Sequence, residues 1–342
     1  MLACKIKKDF KNFKLDIDFT MENETLALLG ASGSGKTLTL QSIAGLIKPD
    51  WGKIVLNGRV LFDSEKKINC SPQERRVGYL FQDYALFPNF TVRGNVLCGL
   101  RGDDVGKVEQ VLNELHIAHI ANKYPAQISG GEKQRTALAR ILVNQAEILL
   151  LDEPFSAIDS FLKDKIEDEV LHLIQKYQIK TILVSHNKEE SYRLSDSIVA
   201  VNGGKNEKKI ETDRFFRHPP TLTAAKLIGI KNFSRVRKLT EDCIRTEDWG
   251  INLQVGTQNV KDYVGIFSDK IWLSEKKQPE NSFLLDKFSV VENIDHYSVT
   301  CTAPLDRTAG ICFAVDKAVW QNFVGKEKYI NIDSKELLFF DA

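Results

Sequence analysis

Residues 30–37 read GASGSGKT, set between the apolar run TLALL at 25–29 and a stretch with helical character that begins at Lys36. This is a complete GxxxxGK[ST] pattern in the strand–loop–helix setting that gives the pattern its meaning. Gly30, Gly33 and Gly35 let the backbone bend, so that successive N–H groups along Ala31, Ser32 and Ser34 point at phosphate oxygens. Lys36 then reaches the β/γ-phosphates and the Thr37 hydroxyl is placed to ligate Mg2+. A plain glycine-rich turn capping a helix has no need of Lys-Thr after its last glycine, so the phosphate-binding reading is preferred.

The surrounding pattern suits such a loop. Between Thr25 and Val201, short apolar runs alternate with helical stretches: TLALL, a helix over 36–47, VGYLF, a helix after Ser129, EILLLDEP, a helix near 162–177, then KTILVSH. That alternation predicts a parallel sheet with crossover helices. EILLL and TILV carry little polar alternation, as expected of central strands covered on both faces. After NGGKNEKK at 202–209 and a short helical piece following His218-Pro219-Pro220, the pattern changes near Lys231. Strand runs separated by polar turns follow: FSRVRKL, CIRT, INLQV, YVGIF, KIWLS, SFLLDKFSVVENI, YSVTC, GICFAV and YINI. A chain of 342 residues suits two domains. We therefore expect an α/β P-loop nucleotide-binding domain with a helical subdomain over 1–230, followed by an all-β, OB/barrel-like domain over 231–342.

Lysine and arginine nearly balance aspartate and glutamate, leaving a formal charge of +1. That is no field for holding nucleic acid or an anionic bilayer, so membrane attachment would have to come through a protein partner. The sequence has no run of about 18 apolar residues, and MLACKIKKDF at the start has no apolar segment after its charges; we expect neither a membrane span nor a secretion signal. The six cysteines form no CxxC pair, which favours free thiols in a reducing compartment and hence the cytoplasm.

EILLLDEP puts Asp152 at the C-terminal end of a buried strand, where a carboxylate can hold Mg2+ directly or through water. Glu153, one residue on, can orient and deprotonate an attacking water. An isolated acidic pair at a strand end is more often a solvated turn; the phosphate loop changes that reading. In ISGGEKQR at 128–135, Ser129 and Glu132 form a capping box at a helix start. Gly130 and Gly131 in the first helical positions cost roughly 1 kcal/mol each against alanine, a cost that close approach of a ligand to bare backbone would explain.

The order GASGSGKT, FQD, SGGEKQR, LLLDEP, SAID and a strand ending in His186 resembles the ATP-binding-cassette family over about residues 1–230. The resemblance implies that two head-to-tail copies sandwich two ATP molecules with Mg2+, and that Ser129, Gly130 and Gly131 of one copy cover the triphosphate held by the other. It implies that Gln82 senses Mg2+ and the attacking water and faces a transmembrane partner, and that His186 contacts the γ-phosphate and helps orient Glu153. An aromatic residue upstream of the phosphate loop stacks on adenine in that family; Phe10 fits best, with Phe13 as the rival. Tyr84, Phe87 and Phe90 read either as a groove for a permease helix or as packing within the helical subdomain. Ile128 and Ile158 depart from the family's usual leucines, volume-conserving changes that leave the assignment standing.

Within it, NGRVLFDSEKKINCSPQERRVGYLFQDYALFPNFTVRGNV, residues 57–96, looks like the corresponding segment of molybdate-importer ATPases. That implies a peripheral subunit on the cytoplasmic face of the membrane, a homodimer of cassettes, two integral-membrane permease subunits and an extracytoplasmic binding protein. Sulfate and other oxyanion importers are close relatives. TAAKLIGIKN at 223–232 looks like the usual lead into the β-barrel regulatory domain of such ATPases. Residues 235–342 hold 14 Lys/Arg against 17 Asp/Glu, so bulk charge would not draw an anion there. A soluble cassette protein acting on nucleic acid or ribosomes is disfavoured by the neutral charge, the single cassette and the absence of a long heptad insertion.

Overall fold

The computed structural model describes residues 1–156, 158, 160–302 and 310–341; Ala157 and Asp159 of the SAID segment lie outside the described residues. Packing divides the chain into two units, Met1–Phe216 and Arg217–Ala342, ahead of the expected division after residue 230.

In the first unit, β1 (Leu2–Phe10) and β2 (Phe13–Met21) form a hairpin with Phe10 opposite Phe13, so that the two residues between them make the turn. There follow β3 (Thr25–Leu29), α1 (Lys36–Ala44), β4 (Trp51–Leu56), β5 (Arg59–Asp63), β6 (Ile68–Asn69) and β7 (Val77–Leu80). Three helices come next: α2 (Val92–Leu97), α3 (Val105–Glu114) and α4 (Gly130–Val143). The unit continues with β8 (Ile148–Asp152), α5 (Ser160–Tyr177), β9 (Lys180–Ser185), α6 (Lys188–Leu194), β10 (Ser197–Asn202), β11 (Lys205–Asn206), β12 (Ile210–Glu211) and α7 (Thr212–Arg217). One sheet runs β6-β5-β4-β1-β2-β11-β10-β3-β9-β8-β7, with β12 paired to β10.

The parallel part, β10-β3-β9-β8-β7, is the sheet that the alternation predicts. The antiparallel part, β1 with β2, β4, β5 and β6, extends it. Its signature is the period-2 pattern of β1, where Leu2, Cys4 and Ile6 are buried and Lys5 and Lys7 exposed. β8 is buried at every position. Its alternating side chains serve two cores: Ile148 and Leu150 join the residues around α1, while Leu149 and Leu151 join those of the helical region α2–α5. Each leucine so buried contributes on the order of 1.5–3 kcal/mol. α1 ends at Ala44, short of the expected Ile47, because Gly45 takes a left-handed φ of 82° and turns its N–H back onto the carbonyls of Gln41 and Ser42.

The second unit begins with α8 (Leu222–Leu227), N-capped by Thr221, and is otherwise mainly β. The strands are β13 (Asn232–Lys238), β14 (Cys243–Thr246), β15 (Asn252–Gln254), β16 (Tyr263–Ile266), β17 (Ile271–Ser274), β18 (Ser282–Leu284), β19 (Phe288–Glu292), β20 (His296–Thr302), β21 (Gly310–Asp316), β22 (Tyr329–Ile332) and β23 (Leu338–Phe340). They form the sheets β15-β14-β13-β16-β23, β17-β22-β18 and β19-β20-β21 around a core that includes Ile244, Trp249, Val264, Val299 and Phe313. The run SFLLDKFSVVENI, read as one strand, divides into β18 and β19 in different sheets. The short helix α9 (Lys317–Gln321), capped by Asp316, and β23 were not anticipated.

Candidate functional site

The parallel register brings four loops to one edge of the sheet. Leu29 pairs with Ser185, Asp152 with Val184, and Leu80 with Leu151. The segments leaving β3, β7, β8 and β9 therefore start side by side at the carboxyl ends of the strands, the position where open α/β sheets bind ligands. They carry the 30–37 loop, Gln82, Asp152-Glu153 and His186.

Within the loop Gly33 and Gly35 adopt φ of 75° and 108°, values reserved largely to glycine. Gly35 is the N-cap of α1 and offers no side-chain acceptor, which leaves the first N–H groups of the helix for a ligand. A methyl on Gly30 would stand 2.2 Å from the Val201 carbonyl oxygen. The Lys36 ammonium folds over the loop and donates to the carbonyls of Gly30 at 2.8 Å and Ala31 at 2.9 Å. Burial draws its pKa down, while the charges of Glu153 and Asp152 act in the opposite sense. Ser34 is buried and its hydroxyl has no hydrogen-bond partner among the described residues. Beside the uncapped start of α1, a buried hydroxyl in want of an acceptor fits a phosphate oxygen.

Asp152 receives two hydroxyls: Thr37 Oγ1 donates to Oδ1 at 2.9 Å and Tyr79 OH to Oδ2 at 2.7 Å. Burial raises the pKa of the Asp152 carboxyl, with the two hydroxyls acting against it, and a cation alongside would favour its ionised form. Thr37 and Asp152 together present hard oxygen donors of the kind Mg2+ takes while keeping other positions for water and phosphate. Glu153 holds φ of 46°, uncommon for a residue with a side chain. Its N–H donates to the Val184 carbonyl at 3.0 Å, and the Glu153 carbonyl accepts from the Ser156 hydroxyl at 2.9 Å. His186 Nδ1 stands 3.4 Å from Glu153 Oε1, so the carboxylate and the imidazole meet across the ends of β8 and β9.

Gln82 occupies the turn after β7, closed by Tyr84 N–H to the Phe81 carbonyl at 2.9 Å. Ser129 caps α4 as the sequence predicts, in a reciprocal capping box with Glu132, and its hydrogen bonds run to Glu132 and Lys133. Ser129 and Gly130 are exposed. Gly131 needs no ligand to explain it: it is buried, and a methyl there would stand 2.9 Å from Ile166 Cδ1 on α5. Phe10 and Phe13 face each other at 6.3 Å between ring centroids; the Phe13 ring lies against the loop, 3.0 Å from where a methyl on Gly35 would be. Tyr84 is buried, whereas Phe87 and Phe90 are exposed and pack together at 5.5 Å. Tyr79 was missed by sequence reasoning, because a tyrosine inside a strand carries no sign of the carboxylate it will meet across the sheet.

Fold and site together define a phosphate-loop α/β nucleotide-binding domain. A family model described as ABC transporter matches residues 12–156, and the sulfate/thiosulfate import ATP-binding protein of Synechococcus elongatus is 38% identical over 239 residues, 67% of this chain and 68% of that protein. The chain belongs to the ABC transporter family. The molybdenum import ATP-binding protein of Pasteurella multocida is 40% identical over 206 residues, 60% of this chain and 59% of that protein. The spermidine/putrescine import ATP-binding protein of Oleidesulfovibrio alaskensis is 38% identical over 221 residues, 63% of this chain and 58% of that protein. The chain thus spans less than two thirds of the length of the latter two relatives. Among solved structures, a dimeric post-hydrolysis state of an ATP-binding cassette bound to ADP and Pi covers 62% of this chain and 99% of its own at a TM-score of 0.53 and 25% identity. No described helix is long and apolar enough to cross a membrane.

Proposed function

We propose that this chain is the ATP-hydrolysing subunit of an importer, working as a pair of cassettes on the cytoplasmic face of the membrane beneath two permease subunits. The observation that carries the reading is the convergence of Lys36, Thr37, Asp152, Glu153 and His186 at one sheet edge beside a loop with open N–H groups.

In this reading Lys36 and the N–H groups of 31–37 take the triphosphate, and the Ser34 hydroxyl gains the acceptor it lacks. Thr37 and Asp152 would hold Mg2+, which when bound supplies positive charge against the phosphate oxygens. Glu153 takes a proton from water as the water oxygen bonds to the γ-phosphorus and the bond to the bridging oxygen of ADP breaks. His186 keeps the Glu153 carboxylate aimed, and Gln82 orients the same water. Phosphoryl transfer depends mainly on such placement and electrostatics. Ser129 and Gly130, exposed at the tip of α4, are free to cover the triphosphate of a second copy, a reading supported by the dimeric state of the similar solved cassette. Phe10 is proposed to stack on adenine, with Phe13, closer to the loop, as the alternative.

The imported substrate is proposed to be molybdate or tungstate, delivered by an extracytoplasmic binding protein; the 57–96 segment and the molybdenum import relative support this. Sulfate is the second reading, supported by the sulfate/thiosulfate relative that aligns over the longer stretch.

Replacing Glu153 by Gln tests the catalytic assignment. Turnover should fall by about a hundredfold or more, as expected for loss of a general base, with ATP still bound; an unchanged rate would refute it. Uptake of molybdate, tungstate and sulfate into vesicles carrying the reconstituted transporter tests the substrate, and transport of sulfate alone would overturn the choice of molybdate or tungstate in favour of the second reading.

A further inference from the structure

Arg140, near the C-terminal end of α4, reaches across to the turn that carries Gln82. Its guanidinium donates to two consecutive carbonyls, Tyr84 O at 3.0 Å and Ala85 O at 2.8 Å, and its Cζ stands 5.5 Å from the centre of the Phe87 ring. The two gripped residues are unusual. Tyr84 and Ala85 hold φ of 63° and 42°, successive left-handed positions that any residue with a Cβ disfavours. Downstream, buried Asn95 on α2 fixes the next stretch: it accepts from Phe87 N–H at 2.7 Å and donates to the carbonyls of Phe87, Phe90 and Thr91. Upstream lies Gln82 itself, within the turn closed by Tyr84 N–H on the Phe81 carbonyl.

The geometry points to Arg140 as the positioning residue for Gln82, holding the strained exit of its turn from the far end of the helix whose near end carries Ser129 and Gly130. The inference rests on the reading that Gln82 orients the attacking water. α4 has 14 residues and spans about 20 Å as one rigid rod. A displacement of its N-terminal tip against a neighbouring copy's nucleotide therefore moves the guanidinium, and with it the two carbonyls next to Gln82. Forked, charge-assisted donors suit this grip, because two parallel bonds fix the orientation of the carbonyl pair as well as its distance. Without them the backbone at 84–85 relaxes out of the left-handed region and Gln82 loses its aim, while the 30–37 loop is untouched.

The experiment compares full-length wild type, Arg140→Lys, Arg140→Ala and Arg140→Ala with Ala85→Gly. Equilibrium binding of a fluorescent ATP analogue is measured alongside phosphate release over a range of MgATP concentrations. Arg140→Ala should bind the nucleotide within about twofold of wild type while kcat falls about tenfold or more, the pattern of a loss confined to the transition state. Glycine at 85 adopts positive φ freely, so the double variant should regain about fivefold in kcat. A merely structural arginine would show no such rescue. Should Arg140→Ala fail to fold, Arg140→Lys decides: a reduced kcat with unchanged binding supports the grip, and wild-type kcat overturns it. Unchanged turnover in Arg140→Ala, or no rescue by Ala85→Gly, likewise overturns the inference. A wild-type protein that binds no ATP would instead overturn the proposed function beneath it.

Discussion

Replacing Arg75 by Met should destabilise the nucleotide-binding unit by about 3–5 kcal/mol, the loss expected when several buried acceptors lose their donor together. Arg75 is fully buried. Its donors reach four acceptors: the carbonyls of Ser42 and Ile43 at 2.8 Å each, the carbonyl of Cys70 at 3.0 Å and Asn69 Oδ1 at 2.9 Å. The first two close the C-terminal end of α1, where the helix dipole is negative, so the cation caps the helix whose other end faces the phosphate loop. Methionine keeps the stem and its packing but strands those acceptors, each at about 1–3 kcal/mol if it stays dry. The Ser42 carbonyl retains Gly45 N–H at 3.3 Å, which brings the total toward the stated range. Lysine supplies one point charge in place of a fork and should recover less than half. Hydrogen exchange of the α1 amides, followed against urea, reads the loss directly. A shift below about 1 kcal/mol would refute the reasoning, because it would mean that water reaches this site or that the carbonyls find other donors.

Three further outcomes are expected. Tyr79→Phe removes the donor on Asp152 Oδ2, and the Mg2+ concentration for half-maximal turnover should rise about tenfold, the lower end of effects from groups that orient a metal ligand; an unchanged Mg2+ requirement would remove Tyr79 from the site. Gly131→Ala gains about 1 kcal/mol of helix propensity but pushes a methyl to 2.9 Å from Ile166 Cδ1. Overpacking costs about 1–3 kcal/mol, so urea denaturation should show a small net loss that Ile166→Val, which lacks that atom, reverses. Glu132 has its carboxyl pKa held below the usual 4.5, first by the Ser129 N–H and then by the Ser129 hydroxyl. A depressed folded-state pKa contributes stability above 4.5 that is lost as pH falls through the lower folded value. Protection of the amides at the start of α4, taken relative to their intrinsic exchange rate at each pH, should therefore fall on acidification below 4.5, and Glu132→Gln should flatten that response.

What the sequence made legible was chemistry that is local in the chain. The 30–37 loop, the Asp152-Glu153 pair and the Ser129–Glu132 capping box each lie within a few residues, and the structure forms them where the pattern puts them. The parallel strands were readable because burial on both faces leaves continuous apolar runs. The antiparallel strands and the division at 216 were not, since the first alternate buried with exposed positions in place of continuous apolar runs and the second depends on packing alone. Splitting 282–294 between two sheets likewise turns on Leu285 to Lys287, three residues whose types do not forbid a continuous strand.

The residues that hold the site in shape are the ones that pattern reading cannot reach. Arg75 meets Ser42 across 33 positions, Arg140 meets Ala85 across 55 and Tyr79 meets Asp152 across 73. The task of Arg140 follows from strain. Glu153, Tyr84 and Ala85 all sit at positive φ without being glycine, and such conformations persist only where surrounding structure over-determines them. For Glu153 the constraint is the Val184 carbonyl and the Ser156 hydroxyl; for Tyr84 and Ala85 it is the arginine fork together with the Phe81 carbonyl on Tyr84 N–H and the Asp83 carboxylate on Ala85 N–H. Glycine at 84 or 153 would fold more easily and aim less well, and at 85 it stands in for the fork only where Arg140 has been removed. The side chains at 84, 85 and 153 are therefore read as the cost of a backbone that has one conformation, with their hydrogen-bond partners fixing which one it is.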